Sequence, residues 1–371
     1  MVLASIVLPT FNGAKYLVQA IESCLNQTHT NFELIIVNDH STDGTSAIIN
    51  KYAESDSRIR IINNNVNYKL PGSLNIGFAE AKGEYLTWTS DDNYFAPHAL
   101  ETLIGELEKD KSADIVYSSY QFIDEHDKML ETFGGEPENL IFKCVIGACF
   151  LYRKQVHDQL QGFDETKFRM EDMDFWLRAA TRFKFKFIDG RDLYFYRKHS
   201  NSLTHEIYST ADIYSQYRIN YQISFTAFFK EGLNLTLSKE ELDIHSELFF
   251  EDLIQLKKRD FDLSAKVMNY LNFLEKLMKQ DWKTLWFNQE KVLAILAEKR
   301  QRVIDLVIND LVFENKILTN KNPKIAAHLR KPISWYYREY EVLPTWYKRI
   351  GHIIKVLQKN KPARSLFTKA G

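Results

Sequence analysis

The chain is poor in cysteine, in long apolar runs and in net charge, and each shortage excludes a class. Its three cysteines, Cys24, Cys144 and Cys149, form no CxxC pair, so a disulfide framework is not expected. No stretch approaches the ~18 consecutive apolar residues of a spanning helix. The opening MVLASIVLPTFN leads straight into a strand pattern, without a basic segment followed by a small-residue cleavage site. A reducing cytoplasm is the expected setting. Net charge is −1 but unevenly spread: residues 331–371 carry nine Lys/Arg against two Glu, +7, which leaves −8 on residues 1–330. An acidic body without a recognition motif disfavours nucleic acid, and a basic tail points to an anionic surface.

What is present is a regular alternation. SIVLP (5–9), FELIIVN (32–38), RIRIIN (58–63) and EYLTWT (84–89) read as strands, with helical stripes between them. Leu17, Ala20, Ile21, Cys24 and Leu25 show the i, i+3, i+4, i+7 spacing of one helix face. Repeated βαβ units imply a mainly parallel sheet with helices on both faces, and ligands bind such sheets at the carboxyl ends of the strands. That rule puts Thr10–Asn12, Asp39 and Asp91–Asp92 on one rim. From 114 to 205 the order is mixed, with strands near 114–122, 146–152, 183–188 and 192–197 and a helix near 171–181. After about 210 helical stretches take over. Ser238 and Glu241 suit a capping box before a run to about Arg259, and stripes cover 264–279 and 289–309. The expected division is 1–210 as an α/β domain, 211–330 as a helical region and 331–371 as a basic amphipathic tail.

Several segments carry residues suited to chemistry. LPTFN (8–12) ends the first strand with one glycine, Gly13, after it. A dinucleotide site would need G-x-G-x-x-G here, so a nicotinamide cofactor is disfavoured. Pro9, Thr10 and Phe11 offer a backbone turn and a ring able to cup a nucleobase. Asp39 ends the second strand ahead of Ser41, Thr42 and Asp43, which suit helix capping; its carboxylate can accept from uracil N3–H or a ribose hydroxyl. Lys69 is a cation near the same rim. Adjacent like charges repel, so Asp91 and Asp92 side by side call for a positive group, and Mg²⁺ or Mn²⁺ held with a diphosphate would satisfy both. In FRMEDMDFWLR, Asp174 and Arg178 form an i, i+4 pair that reads as a surface salt bridge. Asp172, with Glu171 beside it in the first turn, lacks so simple a reason. His199 ends the last strand, and imidazole suits Mn²⁺.

Together these segments resemble glycosyltransferase family 2, the inverting enzymes of GT-A fold that use sugar nucleotides, over about the first 205 residues. The resemblance implies that Thr10 and Phe11, with Pro9, hold the uracil, that Asp39 reads its edge, and that Lys69 matches a basic position of the donor site. Asp91 would contact ribose or sugar, and Asp92, the last acid of a D-x-D-type motif, would bind the metal. Asp172 matches the catalytic base and His199 a histidine that joins metal or phosphate. Thr89, Asn38 and Leu74 depart from the family's frequent Asp, Asp and Arg.

The expected function is transfer of a sugar from a UDP-sugar to a hydroxyl of a saccharide or lipid-linked acceptor in surface polysaccharide or lipooligosaccharide synthesis. A catalytically silent nucleotide-sugar-binding or assembly module is the alternative, with oligomerisation through the C-terminal helices. In the tail, Trp346, Ile350, Ile353, Ile354 and Leu357 share one helical face, with Lys348, Lys355 and Lys359 nearly opposite. Such a helix can lie on the inner, anionic face of a membrane.

Overall fold

A computed structural model describes residues 2–190, 192–250 and 263–318. The alternation read from the sequence is realised as β1 (Ala4–Thr10), α1 (Leu17–Leu25), β2 (Phe32–Asn38), α2 (Thr45–Ser55), β3 (Ile59–Asn63), α3 (Lys69–Ala79) and β4 (Tyr85–Trp88). All seven residues of β1 are buried, as a strand covered on both faces requires. The apolar stripe of α1 is buried through Leu17, Ala20, Ile21 and Cys24. β1 pairs in parallel with β2 and β4, and β2 with β3, so the four strands end on the same side.

Beyond β4 come β5 (Tyr94–Phe95), α4 (Ala99–Lys109), β6 (Ile115–Ser118), β7 (Tyr120–Ile123), β8 (Met129–Phe133), β9 (Phe150–Arg153) and α5 (Lys154–Leu160). They are followed by α6 (Glu171–Ala180), β10 (Phe185–Ile188) and β11 (Tyr194–Arg197). The main sheet has the order β10-β6-β9-β4-β1-β2-β3, with β9 antiparallel between β4 and β6. A smaller sheet, β5-β11-β7-β8, continues from the ends of β4 and β6. β5, β8 and α5 escape the sequence pattern because they are short, and β8 is exposed along most of its length, so no alternation marks it. The strand expected from 146 begins only at Phe150; Gly147 lies so close to the Tyr120 ring that a Cβ would overlap it.

α6 is seated by aromatic packing. Trp176 is buried against Phe150 and Phe175 at ring separations of 4.8 and 5.1 Å, which fixes the first turn of the helix and Asp172 with it. The Asp174–Arg178 pair exists at 2.8 Å but is no surface bridge. Asp174 is buried, and its second oxygen accepts from Ser224 Oγ at 2.6 Å. Ser224 belongs to α8 (Ala211–Leu233), which follows the short α7 (Leu203–Ser209). Asp174 thus links α6 to α8.

The chain divides into two compact units, Met1–Asp252 with Glu275–Leu296, and Leu253–Leu274 with Ala297–Gly371. The first holds both sheets and, past the boundary expected near 205–215, α8 and α9 (Lys239–Phe250). The capping box is formed: Glu241 N–H donates to Ser238 Oγ, and Ser238 N–H to the Glu241 carboxylate. The second unit contains the greater part of α10 (Leu263–Met278) and of α11 (Gln289–Leu318). Among the described residues no helix is long and apolar enough to cross a membrane. The amphipathic tail expected at 331–371, and the end of the run to Arg259, lie outside the described residues.

Because Asp174 is buried and satisfies both Arg178 and Ser224, Asp174→Ala should lower stability by about 2–4 kcal/mol. Asp158→Ala, which removes only an exposed partner of Lys154, should change it by less than about 0.5 kcal/mol. Urea unfolding midpoints of the two variants check this, and equal midpoints would reject the buried role.

Candidate active site

The rim where β1, β2 and β4 end gathers the expected donor residues. Thr10 Oγ donates to Asp91 Oδ2 at 2.6 Å, and Asp39 N–H donates to the Thr10 carbonyl at 2.8 Å. Asp39 is buried, and its Oδ1 accepts from Asn64 Nδ2 and Tyr68 N–H, both at 2.8 Å, which ties the Lys69 loop to the rim. Lys69 itself is exposed. Phe11 stands half exposed at 50% on the loop, whereas Pro9 is buried within β1, behind the loop rather than on its surface. Ser41 and Asp43, expected as plain helix caps, mostly hold this loop. Asn12 N–H donates to Ser41 Oγ, and Ala14 N–H to Asp43 Oδ2.

Gly13 explains why the loop needs a glycine. A Cβ there would stand 2.0 Å from Asp91 Oδ2 and 2.6 Å from Thr10 Oγ, so only a bare Cα lets the carboxylate reach its partner. Burial and the neighbouring Asp92 charge push the Asp91 carboxyl above its usual range, against the pull of Thr10.

Asp92 is held from two sides. His199 Nε2 lies 2.9 Å from its Oδ2, and the side chains are 22% and 12% exposed. Its backbone carbonyl accepts from Nε of Arg197, a residue only 1% exposed. Arg197 also donates to the Asp124 carbonyl, Gln19 Oε1 and Asp127 Oδ1, and its backbone N–H to Asn93 Oδ1. Sequence reasoning missed Arg197; the signal was a cation at the end of an otherwise aromatic strand, YFYR.

Asp92 Oδ1 is buried without a hydrogen-bond partner, as is the hydroxyl of Tyr16, whose ring lies 5.3 Å from that of His199. An orphaned carboxylate oxygen carries the cost of desolvation unless a ligand meets it. Among the described residues no cluster of three or more His, Cys, Asp or Glu is arranged to hold a metal. The Asp92–His199 donor set nevertheless fits Mn²⁺ or Mg²⁺ of the kind that takes one or two protein ligands, the rest coming from phosphate and water.

A second pair of acids, Glu171 and Asp172, lies in the first turn of α6. Asp172 is half buried, and its Oδ1 accepts from Met173 N–H at 2.6 Å. Burial raises its carboxyl above the ordinary range. Glu171 is buried, with Oε2 unpartnered, and burial together with the Asp172 charge pushes it up to about 8. The phenol of Tyr196, on β11, feels the charges of both acid centres. Desolvation raises it first, and the charges of Asp92, Asp172 and Glu171 all add to that rise. Four of the non-glycine residues with positive φ are Asn12 (55°), His40 (65°), Lys69 (65°) and Arg169 (71°). Asn12, His40 and Arg169 lie on loops and Lys69 is the first residue of α3, positions at which backbone strain commonly serves a site.

The family model described as Glycosyl transferase family 2 matches residues 5–161. A glycosyltransferase of Rickettsia typhi, itself uncharacterised, is 30% identical over 257 residues, covering 65% of this chain and 74% of that one. Chondroitin synthase of Pasteurella multocida is 25% identical over 353 residues, covering 90% of this chain but 35% of the synthase. Coverage of such relatives falls as low as 26% of their length. The crystal structure of S. aureus TarS 1-349 in complex with UDP-GlcNAc superposes with a TM-score of 0.52 at 18% identity, covering 81% of this chain and 88% of that one. At that identity the likeness shows the fold, which is GT-A.

On the expectation that this rim holds UDP, Gly13→Ala should weaken UDP binding about tenfold or more by forcing Asp91 from Thr10, whereas Gly105→Ala, with open space around it in α4, should bind as the parent does and gain slightly in stability. Calorimetry with UDP and Mn²⁺ makes the comparison. Parental affinity in Gly13→Ala would refute the need for close approach.

Proposed function

The chain belongs to glycosyltransferase family 2, and from that premise we propose that it transfers a sugar, with inversion, from a UDP-sugar to a hydroxyl of a saccharide or lipid-linked acceptor. Relatives in this family include a synthase of polysaccharide, and surface polysaccharide or lipooligosaccharide synthesis is the setting we infer. The observation that carries the reading is an orphaned Asp92 oxygen beside His199, together with a separate carboxylate, Asp172, whose charge, like that of Asp92, acts on Tyr196.

In this reading Thr10 and Phe11 cup the uracil, the unengaged oxygen of Asp39 accepts from its edge, Asp91 meets the ribose or sugar, and Lys69 sits toward the phosphates. Asp92 and His199 would hold the divalent metal. When bound, that ion neutralises charge growing on the departing diphosphate. Asp172 does the proton work. Met173 N–H holds one of its oxygens, which orients the carboxylate, and the other takes the proton of the acceptor hydroxyl. As that hydroxyl oxygen bonds to the anomeric carbon, the bond from that carbon to UDP breaks on the opposite face. One displacement inverts the centre, so one base suffices and no protein nucleophile is required. The raised proton affinity of Asp172 suits a base working near neutral pH. Since it must be ionised to act, transfer falls as pH drops through its value. Attachment of the basic tail to an anionic membrane would bring the enzyme to a lipid-linked acceptor.

Asp172→Asn should cut transfer by ~10²–10⁴-fold while leaving UDP affinity near the parental value, and excess chelator should abolish transfer until Mn²⁺ or Mg²⁺ is restored. A screen of UDP-sugars for UDP release supplies the assay. Parental turnover in Asp172→Asn, or full activity in chelator, would overturn the assigned roles.

A further inference from the structure

The residue just ahead of α3 has a side chain that local structure does not explain. Tyr68 stands at the N-cap position, where Ser, Thr, Asp or Asn would satisfy a free helix N–H, and its side chain makes no capping hydrogen bond. At 48% exposure it adds little to the core. Among the described residues its ring stacks on no other ring and its hydroxyl has no partner. The backbone nevertheless holds it in place. Tyr68 N–H donates to Asp39 Oδ1 at 2.8 Å. Lys69, next in the chain, takes φ 65°, which non-glycine residues adopt at a cost, and its N–H is held by Asn67 Oδ1 at 2.9 Å. A Cβ on Gly72 would stand 2.9 Å from Tyr68 Cβ, so the bare Cα leaves the tyrosine its room.

Asp39 joins this loop to the end of β1. Its N–H donates to the Thr10 carbonyl at 2.8 Å, and Phe11, 50% exposed, is the next residue after Thr10. On the other side Asn64 donates to the Asn38 carbonyl at 2.9 Å through its N–H and to Asp39 Oδ1 at 2.8 Å through its side chain. The sheet order explains the arrangement. β2, which ends at Asn38, lies between β1 and β3, so Asp39 emerges with the Phe11 loop to one side and the Tyr68 loop to the other. Both bonds from the Tyr68 loop fall on Oδ1, which leaves Oδ2 without a hydrogen bond among the described residues. Two half-exposed rings thus flank one carboxylate with a spare acceptor. A flat heterocycle with an N–H on its edge matches all three, the edge meeting the carboxylate and the faces meeting the rings.

We propose that Tyr68 forms the second wall of the nucleobase subsite, stacking on the face of uracil opposite Phe11 while Asp39 Oδ2 accepts from N3–H. The proposal rests on the reading of this rim as a UDP-sugar site and adds to it a residue whose spacing in the sequence carried no signal. Stacking needs the ring and not the hydroxyl, and it acts on the base alone. Tyr68 therefore contributes equally whether or not phosphates and a metal are present, and uridine by itself suffices to register it.

The test uses the full chain as Tyr68→Ala and Tyr68→Phe. Dissociation constants are measured for uridine without metal, by NMR titration, and for UDP with Mn²⁺, by calorimetry. Tyr68→Ala should weaken both ligands by the same factor, about tenfold, while Tyr68→Phe should bind within about twofold of the parent. Because the side chain is half exposed and the N–H to Asp39 survives in both variants, melting temperatures should stay within about 2 °C of the parent. Parental affinity in Tyr68→Ala would overturn the proposal. So would a loss confined to UDP, which would put the side chain at the phosphates, or a loss shared by Tyr68→Phe, which would assign the effect to the hydroxyl. A loss matched by a clear fall in melting temperature would reduce Tyr68 to a structural part of the loop and likewise overturn it. A parental chain that binds uridine and UDP but transfers from no UDP-sugar would fail the proposed function and leave the stacking result standing; one that binds neither would end both.

Discussion

The site depends on a carboxylate that the protein satisfies on one side only. Asp92 gives Oδ2 to His199 and its backbone carbonyl to Arg197, while Oδ1 is buried with no partner. Burying a carboxylate oxygen without a partner costs free energy that folding alone does not return. The surrounding structure keeps it there. β4 ends in the sheet, β11 brings Arg197 and His199 alongside, and Gly13 leaves room for Asp91 to turn to Thr10 instead of crowding its neighbour. Two adjacent acids are thereby held differently, one pinned by a hydroxyl and one with an oxygen left unpartnered, the feature on which the proposed metal role rests.

The second carboxylate centre is built by different means. Asp172 owes its position to Trp176 and Phe175 in the aromatic core and to the buried Asp174, which fixes α6 against α8. The proposed donor rim is thus positioned by strand ends and the proposed base by helix packing. Departures from the family pattern fall on residues with local work. Asn38 bonds to Ser46, Asn63 and Ser41, Thr89 is buried against the Tyr194 hydroxyl, and Leu74 is buried. None of the three leaves an unmatched charge in the core.

Much of this was legible in the sequence. Continuous apolar runs marked β1 and β2 because both faces of a central parallel strand are covered, and the strand-end rule then put Thr10, Asp39 and Asp91–Asp92 on one rim without coordinates. The capping box of Ser238 and Glu241 was readable because it is local. What escaped was long-range. Nothing in the spacing of Arg197 shows that it reaches Gln19, 178 residues away in the chain, and nothing near Asp174 announces Ser224. The short β5, the exposed β8 and the left-handed Arg169 lack the periodicity from which sequence patterns are read.

The most direct measurement is a crystal structure of the full chain with UDP and Mn²⁺, with anomalous scattering used to locate the ion. Manganese within about 2.3 Å of Asp92 Oδ1 and of a diphosphate oxygen, with the Asp172 carboxylate facing the same cavity and free of the ion, is the expected arrangement. UDP bound with the ion absent from Asp92, or with Asp172 turned away from the diphosphate, would contradict the account.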